Sequence, residues 1–124
     1  MMTAPSSARS QRVLIVDDEP ALLEAIKIAF TRAGREVVAC DSFEAARDRL
    51  LAEDFDVMLT DVRLGAFNGL QLAVIARDQD REMGIIVFSG FDDPVLRAEA
   101  AGLGASYLVK PVSAEHLLEL MAGL

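Results

Sequence analysis

The stretch VLIVDDEPALLEAIKIAF, residues 13–30, decides how the chain is read. Val13-Leu14-Ile15-Val16 is a continuous β-rich apolar run. Having no polar alternation, it suits a strand covered on both faces, as in a parallel sheet. Asp17, Asp18 and Glu19 follow at once, and then Pro20, which favours the first turn of a helix. Beyond it Leu22, Leu23, Ile26, Ala29 and Phe30 share one apolar face until Gly34 ends the segment. A strand, an acidic turn and an amphipathic helix make one βα unit.

Working outward, the unit recurs four times. Further apolar runs stand at Val37–Cys40, Val57–Thr60, Ile85–Phe88 and Tyr107–Val109, starting roughly 20–29 residues apart, a spacing that suits βα units. Ser42 can cap a second helix carrying Phe43, Ala46 and Leu50. A third helix is expected from about Asn68 to Arg77. Asp93-Pro94 opens a fourth, which stops by Gly102–Gly104, and Ser113 caps a fifth with Leu117, Leu120 and Met121 facing a core. The pattern predicts an α/β domain: a doubly wound, five-stranded parallel sheet with right-handed crossovers and five helices on its two faces. Residues 1–11, MMTAPSSARSQ, lack the apolar core of a secretory signal and read as a disordered tail before a domain at 12–124.

Composition narrows the function. The 124 residues are 52% apolar and 26% charged, a globular balance. Twenty acidic against twelve basic residues give a net charge of −8, and no basic run exists, which argues against direct nucleic-acid binding. No apolar run is long enough to cross a membrane, so a soluble chain is expected. The single cysteine, Cys40, excludes an internal disulfide and fits a reducing, cytoplasmic setting. One cysteine and one histidine cannot build a Cys/His zinc site, which leaves oxygen ligands.

In an open parallel sheet, ligands bind beyond the carboxyl ends of the strands. The residues there are Asp17, Asp18 and Glu19 after the first run, Asp61 after the third, Ser89 and Gly90 after the fourth, and Lys110 and Pro111 after the fifth. Singly each has a bland explanation as a helix-dipole acid, a cap, a turn residue or a surface lysine. Together on four strand ends they form a constellation. Three carboxylates repel one another unless a cation intervenes, and Mg²⁺ accepts such oxygen ligands while keeping waters. With the Lys110 ammonium the charges of such a site cancel. A pocket of this kind can accept a phosphoryl group, with Asp61 as the attacking carboxylate and Lys110, Ser89 and the metal on the phosphoryl oxygens.

The set VLIVDDEP (13–20), MLTDVRLGAFNGL (58–70), VFSG (87–90) and YLVKP (107–111) resembles the receiver domains of two-component response regulators, across Arg12 to Leu124. The resemblance implies a flavodoxin-like strand order 2-1-3-4-5, which the chemotaxis member of this family illustrates. It further implies that Asp61 is the phosphoacceptor, that Asp18 binds Mg²⁺ directly and that Asp17 mainly holds metal-bound water. The backbone carbonyl of Arg63 would be a further ligand. Ser89 takes the switch hydroxyl position and Tyr107 the switch aromatic. Phosphorylation should draw Ser89 inward and let Tyr107 turn into the vacated room. Lys110 is the family's lysine, and Pro111 follows a peptide bond that is commonly cis. Arg63 and Phe91 occupy positions that tune phosphate lifetime, here towards a long-lived state. The implied partners are a sensor histidine kinase or phosphotransfer protein, a downstream protein or output domain, and a second copy through the surface of the fourth helix, fifth strand and fifth helix.

Two departures stand out. Gly65 replaces a proline common in the loop after the acceptor, so a looser 62–68 loop is expected. Asn68 replaces an acid. A phosphatase of the haloacid-dehalogenase type is a rival reading, but its second aspartate would fall where Arg63 stands. A pseudo-receiver that binds partners without phosphorylation is a third. His116 is expected on a solvent face, Cys40 in the core, and Gly102-Leu103-Gly104 lacks the third glycine of a dinucleotide fingerprint. The cognate kinase, and whether the chain is a whole regulator or a piece of one, stay open.

Overall fold

A computed structural model describes residues 11–122; positions 1–10 of the expected tail and 123–124 of the expected domain lie outside them. Five strands, β1 (Arg12–Val16), β2 (Glu36–Cys40), β3 (Val57–Asp61), β4 (Gly84–Ser89) and β5 (Ser106–Val109), form one parallel sheet in the order 2-1-3-4-5. Five helices alternate with them: α1 (Pro20–Arg32), α2 (Phe43–Ala52), α3 (Gly69–Gln79), α4 (Pro94–Gly102) and α5 (Ala114–Ala122).

Side chains alternate across the pleat, so each strand feeds two cores. Val13, Ile15, Val57, Leu59, Ile86 and Phe88 face α1 and α5, meeting Ile26, Phe30, Leu117 and Met121. Leu14, Val16, Met58, Ile85 and Val87 face α2, α3 and α4. Fully burying one such side chain stabilises the fold by roughly 1.5–3 kcal/mol, which explains the apolar runs of the central strands ahead of Thr60, Asp61 and Ser89 at their carboxyl ends.

The helix boundaries follow local chemistry. Ser42 Oγ accepts from Ala45 N–H, and Asp93 accepts from Val95 and Leu96 N–H ahead of Pro94. Ser113 Oγ accepts from His116 N–H, leaving His116 exposed. Gly34 ends α1 at φ 85°, a left-handed conformation that favours glycine. Gln11, the last residue of the expected tail, is tied to the sheet through its carbonyl, which accepts from Glu36 N–H at 2.9 Å.

The loop after β3 corrects an expectation. It is no loose connection: Arg63–Leu64 pairs antiparallel with Phe67–Asn68 in a small hairpin. Gly65, at φ 62°, supplies the left-handed turn in place of proline. Phe67 stacks on Phe43 with ring centroids 4.5 Å apart, and Asn68 forms a capping box with Gln71 at the start of α3.

At the opposite pole, Arg77 donates hydrogen bonds of 2.8 Å to the carbonyls of Leu103, Arg81 and Met83. One guanidinium thus ties α3 to the loops that open β4 and β5.

Candidate functional site

The site lies where β1, β3, β4 and β5 end together. Asp17 leaves β1 fully buried, Asp61 closes β3 at 7% exposure and Ser89 closes β4 at 4%. Asp18 is exposed at the rim. Oxygens of Asp17, Asp18 and Asp61 all lie within 4.8 Å of one another. Lys110, just past β5, donates from Nζ to Asp17 Oδ2 at 3.2 Å and to Asp61 Oδ2 at 3.1 Å. The Lys110–Pro111 peptide is cis. The structure thus brings together the acids, lysine and hydroxyl expected from the strand ends.

Burial works against ionised Asp17 and pushes its carboxyl above the ordinary range. The amide of Glu19, donating at 2.8 Å, and the Lys110 ammonium oppose that push, whereas Asp61 adds to it. For Lys110, burial pulls downward, but the hydrogen bonds and charges of Asp61 and Asp17 outweigh it and raise its pKa. One ammonium against three carboxylates leaves a negative excess. With no nitrogen or sulfur donor in the cluster, the residues fit a hard divalent cation.

Asp61 is held at several atoms. Arg63 N–H donates to Oδ1 at 3.2 Å, while Thr60 Oγ1 donates to the backbone carbonyl at 2.9 Å. A Cβ on Gly69 would run into that same carbonyl, so α3 can start this close to β3 only with glycine. Thr60 and Gly69 escaped the sequence reading. Threonine there reads as a β-branched strand former, and the glycine as one more helix-start residue.

The remaining expected residues cluster beside the acceptor. Ser89 Oγ accepts from Phe91 N–H at 3.2 Å, and Tyr107 OH donates to the Phe91 carbonyl at 2.7 Å. Tyr107 is buried, at 8% exposure. The Arg63 guanidinium lies 5.4 Å from the centroid of the Phe91 ring, which is 64% exposed. The two residues named for phosphate lifetime therefore touch each other, beside a cavity of about 540 Å³ that both line with Ser89 and Leu96.

The lysine-bridged acid cluster thus lies beyond the carboxyl ends of the strands of a flavodoxin-like 2-1-3-4-5 sheet. The response regulator receiver domain family matches residues 13–122, and the chain belongs to that family. It is 36% identical over 112 residues to the response regulator protein FleR of Pseudomonas aeruginosa, covering 90% of this chain and 24% of that protein. The curated relatives it matches are thus about four times its length or more. A CheY-like receiver domain protein from Methanospirillum hungatei superposes with a TM-score of 0.88 at 28% identity, covering 93% of both chains. A response regulator protein from Burkholderia pseudomallei, solved with a phosphorylated aspartic acid, a calcium ion and citrate, gives 0.84 at 26% identity, covering 90% of this chain and 66% of that one. No helix among the described residues is long and apolar enough to cross a membrane.

Proposed function

We propose that Asp61 takes a phosphoryl group from the phosphohistidine of a sensor histidine kinase or phosphotransfer protein, in the cytoplasm. The observation that carries this reading is Lys110 Nζ spanning Asp17 and Asp61 at 3.2 and 3.1 Å. An Asp61 oxygen attacks phosphorus, the O–P bond forms, and the N–P bond to the donor imidazole breaks. Arg63 N–H on one carboxylate oxygen and Lys110 on the other fix its orientation beforehand. Lys110 and Ser89 Oγ then take phosphoryl oxygens. Asp17, Asp18, Asp61 and the Arg63 backbone carbonyl would hold Mg²⁺, which when bound offsets charge on the phosphoryl oxygens. The relative with a phosphorylated aspartic acid and calcium supports both parts of this reading.

Turning Ser89 towards the phosphoryl group releases Phe91 N–H, while Tyr107 still holds the Phe91 carbonyl. The displacement thereby reaches the face of α4, β5 and α5. That face would bind a downstream protein, an output domain or a second copy of the chain. The Arg63–Phe91 stack would shield the acyl phosphate from water and lengthen its life, since neither side chain positions an attacking water. The domain turns over no external substrate; it is the substrate of its own phosphorylation and dephosphorylation.

With acetyl phosphate and Mg²⁺, intact mass should rise by one phosphoryl group, roughly 80 Da. Asp61→Asn, which lacks the nucleophilic oxygen, should show no such rise. Equal labelling of this variant and the parent overturns the assignment.

A further inference from the structure

The peptide unit that joins Asp61 to Val62 is pinned at both ends. Its carbonyl accepts from the buried Thr60 hydroxyl at 2.9 Å, and its N–H donates to the Phe88 carbonyl at 3.0 Å. Thr60 is fully buried, and Val62 is 4% exposed. Val62 is held on its far side as well, its carbonyl accepting from Gly69 N–H at 2.6 Å. The phosphorylation chemistry above asks nothing of Thr60.

An acyl phosphate is an activated carboxyl, and one nucleophile that the covalent chain always keeps within reach of an activated aspartyl group is the backbone nitrogen of the next residue. Attack there would form a bond from Val62 N to Asp61 Cγ and break the Cγ–O bond to phosphate. The phosphate would leave with the electron pair, the amide proton would pass to it or to water, and a five-membered succinimide would remain. Such closure would destroy the acceptor. It requires the 61–62 peptide to rotate until its nitrogen faces Cγ, with its lone pair released from conjugation with the carbonyl. Rotation breaks two buried hydrogen bonds and leaves a hydroxyl and two carbonyls unpaired in the core, each carrying the cost of an unsatisfied buried polar group.

We infer that Thr60 is a positioning residue that, together with the Phe88 carbonyl, locks the 61–62 peptide and protects the phosphorylated aspartate from cyclising onto its own backbone. The inference rests on Asp61 being the phosphoacceptor. Hydrolysis at phosphorus, which returns Asp61 intact, needs no such rotation and stays open. The lock therefore decides how the phosphoryl group departs.

The test is to phosphorylate with acetyl phosphate and Mg²⁺, remove the donor, and follow intact mass with peptide mapping. In native buffer the parent should return to its starting mass with only a trace of a species one water lighter. Thr60→Val, which keeps the volume but loses the hydroxyl, should accumulate the lighter species several-fold above the parent, mapped to Asp61–Val62. Thr60→Ser should behave as the parent. The phosphorylated parent transferred to urea should accumulate the most. A merely structural threonine would change thermal stability in Thr60→Val but not this product ratio. Equal ratios in Thr60→Val and parent overturn the inference, as does a urea sample that only hydrolyses, or a lighter species mapping to an Asp61–Lys110 cross-link. Absence of any phosphoryl adduct in the parent overturns instead the reading on which the inference stands, and the inference with it.

Discussion

Asp17 shows most directly how burial and charge contend in this pocket. Its carboxylate is fully buried, and the nearest cation, Lys110, is shared with Asp61. The ionised form therefore costs folding free energy that a divalent cation would recover. Asp17→Asn should raise the metal-free melting temperature by a few degrees and abolish the further rise that Mg²⁺ gives the parent, both read by thermal scans with and without chelator. A variant that melts below the parent without metal would contradict this account of the pocket. Asp17, Asp61, Ser89 and Lys110 are legible in the chain because each follows an apolar run, and strand ends of a parallel sheet converge. Thr60 and Gly69 are not, because their work depends on where one backbone carbonyl points. No run or period in the sequence encodes that direction.

At the scale of elements, the N-terminal end of β1 is fastened by one arginine. Arg12 donates to Glu36, to the Asp54 carbonyl and to Glu53, and its guanidinium lies 4.8 Å from the Phe55 ring centroid. The bond from Arg12 lowers the Glu53 carboxyl below its ordinary 4.5. A depressed acid contributes stability that is full above its unfolded value and is lost as pH falls through its folded value. Glu53→Gln should therefore melt below the parent at neutral pH, and the gap should close in acid well below pH 4.5. A gap that persists there would mean that packing, not charge, is lost. The effect is small because Glu53 is a surface group. The five strands and five helices are legible from apolar runs and caps. The hairpin of Arg63–Leu64 and Phe67–Asn68 is not, because two-residue strands have no period to read, and the Phe43–Phe67 stack that supports it joins distant positions.

For the whole molecule, the strand order 2-1-3-4-5 sets one pole of the sheet as pocket and the other as base. The order itself comes from family resemblance, since alternating strands and helices alone admit several doubly wound arrangements. The base is where Arg77 gathers three loop carbonyls at 2.8 Å. Arg77→Lys keeps the charge but loses the planar fork, and should cost about 2–4 kcal/mol in chemical denaturation, with acceptor labelling of the still-folded protein unchanged. A loss near zero would show that water replaces the fork. Three carbonyls share one guanidinium at the base, whereas at the rim Ser89 Oγ and Tyr107 OH each reach the Phe91 backbone through a single hydrogen bond. An event that drew Ser89 away would have one bond to trade there, and would leave the base as the fixed frame against which a partner reads the change.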